Sequence, residues 1–163
     1  IMSADAMRTA FERLEPHLQQ PAAGGEPRAR SASGFGFGAP IVLATVKGDI
    51  HDIGKNLVAL LLRNYGFKVI DLGKDVSAAE IVAAAREHGA KIVGLSALMT
   101  TTMAEMREVL TRARQEGIDC RFMIGGAVVD EQYAKEIGAD GYAADAVGAV
   151  RLAQRLCLGE RQG

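Results

Sequence analysis

From residue 40 onward the chain alternates between short apolar runs and longer amphipathic segments. The apolar runs fall at 41–46, 68–72, 91–96, 121–125 and 140–144, and helix-like segments follow them at 53–65, 77–88, 102–116, 130–137 and 145–158. The apolar runs carry little polar alternation, which is typical of parallel strands that are covered on both faces. Because crossovers between parallel strands are right-handed, the pattern predicts a doubly wound α/β sheet.

The number of predicted strands also indicates their order. With five strands we expect the flavodoxin-like (Rossmann-like) order 2-1-3-4-5. Sheets of this kind bind ligands outside the carboxyl ends of their strands. The loops that follow the strands are therefore where we expect chemistry.

The start of the chain has a different pattern of apolar and polar residues. Apolar residues recur at helical spacing over 2–19, which predicts an amphipathic helix. The following stretch is rich in Gly, Pro, Ala and Ser and has no periodicity, which is typical of a flexible linker. We therefore expect a helix within residues 1–19, a linker over 20–39 and a globular domain over 40–163. Since the chain begins with Ile1 and not Met, we also expect it to be a fragment of a longer protein.

Composition excludes several classes of function. A net charge of −1 gives no electrostatic footprint for nucleic acid. No apolar run approaches the roughly 20 residues of a membrane helix, and no secretory signal opens the chain. Cys120 and Cys157 stand in apolar surroundings without metal-ligand spacing, so we interpret them as reduced packing residues. Together these features predict a cytoplasmic protein with no nucleic-acid or membrane partner.

The loop after the first strand places a histidine between two carboxylates. It reads KGDIHDIGKN, with His51 between Asp49 and Asp52. One interpretation is a loop histidine, with Asp52 helping to cap the next helix. The other is a metal ligand whose far ring nitrogen donates to a carboxylate, for which Asp49 is the natural partner. Gly54 would then leave a bare surface that a broad, flat ligand could approach.

The loops after the third and fourth strands are rich in hydroxyls and glycine. Ser96 and the run Thr100–Thr102 could cap the following helix, or they could hydrogen-bond a polar ligand. Gly125 and Gly126 could form a tight strand-to-helix turn, or a ligand could pass too close to them for any Cβ. The sequence leaves both pairs of interpretations open.

Familiar ligands of this fold do not fit the loops. No G-x-G-x-x-G motif opens the first helix, so dinucleotide binding is not expected. A phosphate-binding P-loop is absent as well. A phospho-receiver domain would need an aspartate after the third strand, where this chain has Ser96.

The three loops together resemble a known signature. Asp49-x-His51-x-x-Gly54, Ser96-x-Leu98 and Gly125-Gly126 follow one another in the order of the cobalamin (vitamin B12) binding motif D-x-H-x-x-G, S-x-L, G-G. The stretches GDIHDIGKN, LSALMTTTM and GADGYAADA are similar to the methyl-transferring branch of this family. That branch includes the corrinoid proteins of methanogen and acetogen methyltransferase systems and the cobalamin domain of methionine synthase. The resemblance covers about residues 40–158, and helix 2–19 looks like the last helix of the helical cap that precedes this domain, here truncated.

The resemblance implies a bound cobalamin or related corrinoid in the base-off/His-on form. His51 would be the cobalt ligand in place of the displaced benzimidazole base, and Asp49 would hold its imidazole. Thr102 would take the place of a serine that continues this relay in the family, and these three residues would form the catalytic group. The full set of implied cofactor-binding residues is Asp49, Ile50, His51, Asp52, Ile53, Gly54, Ser96, Leu98, Thr100, Thr102, Gly125, Gly126, Ala127 and Tyr142.

The implied function is a methyl carrier whose cobalt cycles between Co(I) and methyl-Co(III). Such a carrier needs a substrate-specific methyltransferase subunit that donates the methyl group, a methyl-accepting methyltransferase, and a reductive activase. The resemblance leaves two alternatives open. One is a cobalamin-dependent sensor or regulator, and the other is the cobalamin domain of an adenosylcobalamin mutase.

Overall fold

The computed structural model describes residues 38–159, so the predicted helix over 2–19 and nearly all of the predicted linker over 20–39 lie outside the described residues. Within this part, strands and helices alternate as the sequence predicts. They are β1 (Pro40–Thr45), α1 (Ile53–Asn64), β2 (Lys68–Asp71), α2 (Ala78–Glu87), β3 (Ile92–Ser96), a 3₁₀ turn (Thr100–Thr102), α3 (Met103–Gln115), β4 (Arg121–Gly125), α4 (Glu131–Ile137), β5 (Gly141–Ala143) and α5 (Ala146–Cys157).

The five strands form a single parallel sheet in the order β2-β1-β3-β4-β5. The predicted flavodoxin-like fold class and strand order are thereby confirmed. In this order β1 is paired on both sides, with Ile41 opposite Val69 of β2 and Ile92 of β3. The chain crosses from one side of β1 to the other between β2 and β3, which is the switch point where such sheets bind ligands.

Successive side chains of the central strand point into two separate cores. Ile41 and Leu43 pack with residues of α1 and α5 on one face of the sheet. Val42 and Ala44 pack with residues of α2, α3 and α4 on the other face. All four side chains are buried. Because both faces are covered, the strands need apolar residues at every position, which explains the weak polar alternation in the sequence.

Polar side chains fix the starts of three helices. Ser77 and Glu80 form a reciprocal capping box at α2, where the Ser77 hydroxyl accepts from the Glu80 N–H (3.3 Å) and the Glu80 carboxylate accepts from the Ser77 N–H (3.0 Å). Asp130 and Asp145 accept backbone N–H groups of α4 and α5 at 2.8 and 2.7 Å. These caps satisfy donors that the first helical turn leaves free.

The two cysteines are free thiols that pack against the cores. Cys120 lies against the core under α2, α3 and α4, and Cys157 against the core under α1 and α5. Burial raises the pKa of the Cys120 thiol to about 12, with smaller contributions from Asp140 and Asp119, and burial also raises the pKa of Cys157. Neither thiol is therefore activated.

Across residues 38–159, no helix combines the length and the apolar character needed to cross a membrane.

Candidate functional site

The loops singled out in the sequence meet at one edge of the sheet. Thr45 of β1 lies opposite Ser96 of β3, Ser96 lies opposite Gly125 of β4, and Gly125 lies opposite Ala143 of β5. Each of these residues stands at the carboxyl end of its strand. The loops that follow β1, β3 and β4 therefore begin side by side.

Asp49 is the centre of a hydrogen-bonded group that joins two of these loops. Its side chain is fully buried, and its two oxygens have different partners. Oδ1 accepts the backbone N–H of His51 (3.0 Å) and lies 2.7 Å from His51 Nδ1. Oδ2 accepts the backbone N–H of Leu98 (2.7 Å) and the hydroxyl of Thr102 (2.9 Å). One carboxylate thus ties the loop after β1 to the loop after β3.

These contacts keep Asp49 ionised. Burial alone would raise the pKa of this carboxyl, but the hydrogen bonds from Leu98, His51 and Thr102 outweigh it and hold the pKa well below its usual range. A carboxylate can only accept, so His51 must donate from Nδ1. In the neutral imidazole Nε2 then carries the lone pair. The His51 side chain is 46% exposed, so that lone pair can be offered to a ligand.

Asp52 and Thr102 do not cap the helices that follow them. Asp52 precedes α1 but makes no side-chain hydrogen bond to the helix. Thr102 precedes α3 and makes no capping bond either. Its buried hydroxyl instead lies 2.9 Å from both Asp49 Oδ2 and the Met99 carbonyl. The threonine side chain therefore supports the carboxylate and not the helix start.

The surface beside the imidazole is apolar and open. Ile50 and Leu98 are 65% and 40% exposed, which is unusual for such side chains in this domain. A Cβ added to the exposed Gly54 would meet no atom within 4 Å. The buried Thr45 hydroxyl donates to the His51 carbonyl (3.2 Å) and fixes the backbone beneath this surface. A flat ligand with an apolar rim could rest here against the imidazole.

Internal contacts account for the glycine pair at the end of β4. Gly126 has a φ of +124°, and a Cβ there would lie 1.9 Å from the Ala97 carbonyl oxygen. A Cβ on Gly125 would lie 3.1 Å from the Ala143 carbonyl oxygen. The close approach of neighbouring backbones therefore requires Gly126 before any ligand is considered.

The remaining predicted residues lie along the same edge. Ser96 is half-buried, and its carbonyl accepts the Val46 N–H (3.1 Å). Thr100 and Ala127 are exposed in the loops after β3 and β4. Ile53 begins α1, and Tyr142 is half-buried in β5 against the larger core. The structure thus joins Asp49, His51, Leu98 and Thr102 by hydrogen bonds and arranges the other residues around them.

An ion pair with a buried lysine beside this edge was missed in the sequence. Lys55, in the first turn of α1, is 5% exposed, and its Nζ lies 2.6 and 2.8 Å from the two carboxylate oxygens of Asp71 at the end of β2. Nζ also donates to Asn56 Oδ1 (2.7 Å). A positive charge in the first turn of a helix is unfavourable with the helix dipole. This placement of Lys55 was the feature of the sequence that could have indicated a nearby carboxylate.

The arrangement offers one metal ligand. Within residues 38–159 no group of three or more His, Cys, Asp or Glu side chains could hold a metal ion. His51 presents a single imidazole nitrogen with a buried anion behind it. This chemistry suits a metal whose other coordination positions are filled by its own cofactor.

A parallel α/β sheet with a carboxylate-supported histidine at its switch point defines a cofactor-binding domain, and comparisons with known proteins agree. The B12 binding domain model matches residues 39–151. A corrinoid protein of Desulfitobacterium hafniense (strain Y51) is 40% identical over 159 residues, which cover 96% of this chain and 69% of the relative. Dimethylamine corrinoid protein 3 of Methanosarcina acetivorans is 41% identical over 160 residues, covering 97% of this chain and 70% of the relative.

A solved structure gives the same answer. The monomethylamine corrinoid protein of Methanosarcina barkeri superposes with a TM-score of 0.77 at 35% identity, over 93% of this chain and 67% of that one. The chain therefore belongs to the B12-binding family, in the branch of the corrinoid proteins of methyltransferase systems.

Proposed function

We propose that this protein carries a methyl group on the cobalt of a corrinoid that is bound base-off, with His51 as the lower axial ligand. The observation that carries the proposal is the contact between the buried, ionised Asp49 and His51 Nδ1 at 2.7 Å. It fixes the tautomer that leaves Nε2 as the metal-binding nitrogen.

The residues of this chain fit such a cofactor. A corrinoid would supply most of the metal's ligands itself, so one imidazole is the ligand that the protein would add. The exposed side chains of Ile50 and Leu98 offer apolar surface for the macrocycle, and the bare backbone at Gly54 leaves it room. We expect Asp52, Ile53, Thr100, Ala127 and Tyr142 to complete the cofactor contacts at the sheet edge. We assign the pocket of the displaced nucleotide tail to Ser96, Leu98, Gly125 and Gly126.

The protein's own residues then have distinct tasks. His51 would hold the metal through Nε2, and the negative charge of Asp49 would make that nitrogen a stronger donor. Thr102 orients Asp49 by donating to Oδ2 (2.9 Å). When bound, the corrinoid would supply the cobalt that takes up the methyl group as Co(I) and holds it as methyl-Co(III). A histidine whose donor strength depends on Asp49 would let the protein bias the balance between these two cobalt states.

Carriage of this kind requires partner proteins. The methanol:cobalamin methyltransferase complex of Methanosarcina barkeri superposes on this chain with a TM-score of 0.73 at 32% identity, over 98% of this chain and 57% of that one. By analogy we propose that a substrate-specific methyltransferase subunit loads the methyl group and that a second methyltransferase removes it. A reductive activase would restore Co(I) after oxidation.

Reconstitution tests the central claim. Protein mixed with hydroxocobalamin should elute from gel filtration with about one corrinoid per chain. In the Co(II) state, labelling histidine with nitrogen-15 should change the superhyperfine pattern of the electron paramagnetic resonance spectrum. His51→Ala should abolish this change. His88→Ala, at the far end of α2, should keep it.

Two outcomes contradict the proposal. If the corrinoid elutes entirely apart from the protein, the proposal that this protein binds a corrinoid is wrong. If the pattern responds only to labelled benzimidazole, the cofactor keeps its own base and His51 is not the ligand.

A further inference from the structure

The segment between β2 and α2 runs beside the loop that carries Asp49 and His51. Thr45 donates its N–H to the Gly73 carbonyl (2.9 Å) and accepts the Val76 N–H at its own carbonyl (3.1 Å). Val46 and Val76 form a further parallel bridge. Pairing between the two chain segments thus continues beyond the end of β2. This brings Asp75 alongside the loop after β1.

Asp75 makes two hydrogen bonds to that loop. Its Oδ1 accepts the Gly48 N–H (2.7 Å), and its own N–H donates to the Asp49 carbonyl (3.0 Å). One residue thereby holds the backbone on both sides of the Gly48–Asp49 peptide. The Asp49 carboxylate, in contrast, is held from the β3 side by Leu98 and Thr102.

The backbone of Asp75 is in an unusual conformation. Its φ is +55°, and no other non-glycine residue in the described part of the chain has a positive φ. Asp and Asn enter this region more readily than other side chains, and such conformations persist where surrounding contacts impose them. Here the conformation lets the side chain and the N–H of one residue reach the same loop.

We propose that Asp75 is a positioning residue that sets the orientation of the Asp49–His51 pair. The inference rests on the proposed function, since it assigns Asp75 a task in presenting His51 to the metal. Asp75 acts through the Gly48–Asp49 backbone. Losing its side-chain acceptor would let the Asp49 backbone shift and would loosen the contact at His51 Nδ1.

Three variants separate the side-chain acceptor from the backbone conformation. Asp75→Asn keeps an acceptor and tolerates a positive φ. Asp75→Gly tolerates the same φ but removes the acceptor. Asp130→Gly is the matched control, because Asp130 is also exposed and accepts one backbone N–H at 2.8 Å, but it contacts α4.

Two measurements report on the loop. Hydrogen exchange of the His51 amide in the apoprotein follows its bond to Asp49 Oδ1. The nitrogen-15 histidine signal of the reconstituted protein measures the fraction of cobalt that is ligated by histidine. We expect Asp75→Gly to speed amide exchange and lower His ligation by about 3- to 10-fold, the effect of one ordinary hydrogen bond. Asp75→Asn and Asp130→Gly should stay within about twofold of wild type by the same measure.

The outcomes distinguish the inference from the function on which it rests. If Asp75→Gly matches wild type in both measurements, or if Asp130→Gly changes them equally, the positioning role is refuted. If wild-type protein shows no histidine signal at all, the proposed function fails. Amide exchange in the apoprotein then still decides whether Asp75 holds the loop.

Discussion

Replacing Asp49 by asparagine tests the support of the imidazole most directly. The carboxylate faces four donors: the N–H and Nδ1 of His51, the N–H of Leu98 and the hydroxyl of Thr102. An amide offers one acceptor oxygen and one NH₂ group of donors. If its oxygen faces His51, its NH₂ meets the Leu98 N–H. If it is flipped, its NH₂ meets the His51 N–H and Nδ1.

Either orientation leaves one backbone N–H of the buried group without an acceptor, which costs about 1–3 kcal/mol. The flipped orientation also makes Nδ1 an acceptor, and the imidazole proton then moves to Nε2 and blocks metal binding. We expect His ligation to weaken by about 10- to 100-fold, as for other changes behind metal-binding histidines. That range corresponds to about 1.4–2.8 kcal/mol. The corrinoid itself should stay bound through its other contacts.

Visible spectra of the reconstituted proteins at neutral pH provide the assay. Histidine ligation should decrease in the order wild type, Asp49→Asn, His51→Ala. Asp140→Asn is a suitable control, because the half-buried Asp140 also accepts a backbone N–H, from Phe122 at 2.8 Å, but it precedes β5, at the end of the sheet opposite these loops. If Asp49→Asn matches wild type while His51→Ala does not, Asp49 is only a loop residue and the reasoning fails.

Four further predictions concern this edge of the sheet. Gly126→Ala should lower the free energy of unfolding by about 2 kcal/mol or more in a urea titration, because of its positive φ and the Ala97 carbonyl. Gly54→Ala should keep or raise stability by up to about 1 kcal/mol and yet weaken corrinoid binding in gel filtration. Thr102→Val should reduce the histidine signal about 2- to 10-fold, and Thr102→Ser should retain it; equal loss in both would contradict a hydroxyl role. Because folding lowers the pKa of Asp49, this carboxylate stabilises the fold fully above about pH 3.8 and progressively less below it. The free energies of unfolding of wild type and Asp49→Asn, measured by urea titration, should therefore converge as the pH is lowered. A difference in free energy that stays constant with pH would be contrary evidence.

The sequence was most informative where local pattern decides structure. Apolar runs without polar alternation predicted parallel strands covered on both faces, and the predicted bounds differ from the observed ones by about one residue. The 3₁₀ turn at Thr100–Thr102 was not predicted, because the helix was expected to begin at 102 and the hydroxyl pattern fits a helix start as well as a turn. Such patterns identify elements better than they identify how the elements begin.

Contacts between distant loops were harder to predict. The bonds from Asp75 to Gly48 and Asp49 depend on the pairing of two segments beyond the end of β2. Glycine is needed at 126 because the Ala97 carbonyl, in the loop after β3, lies too close for a Cβ. Neither partner is marked in the sequence, since a loop aspartate and a Gly-Gly pair are common turn residues. The roles assigned to the cofactor-binding residues remain predictions.

The inert thiols make this domain convenient for chemical labelling. With its pKa raised to about 12, Cys120 is a thiolate in about one molecule in ten thousand at pH 8. Burial also raises the pKa of Cys157 and so lowers its thiolate fraction. These two are the only cysteines in the chain. A cysteine introduced at the exposed Lys74, next to Asp75, would therefore react with maleimides far ahead of the native ones. A fluorophore could then be attached beside the loop that carries His51 without first replacing either native cysteine.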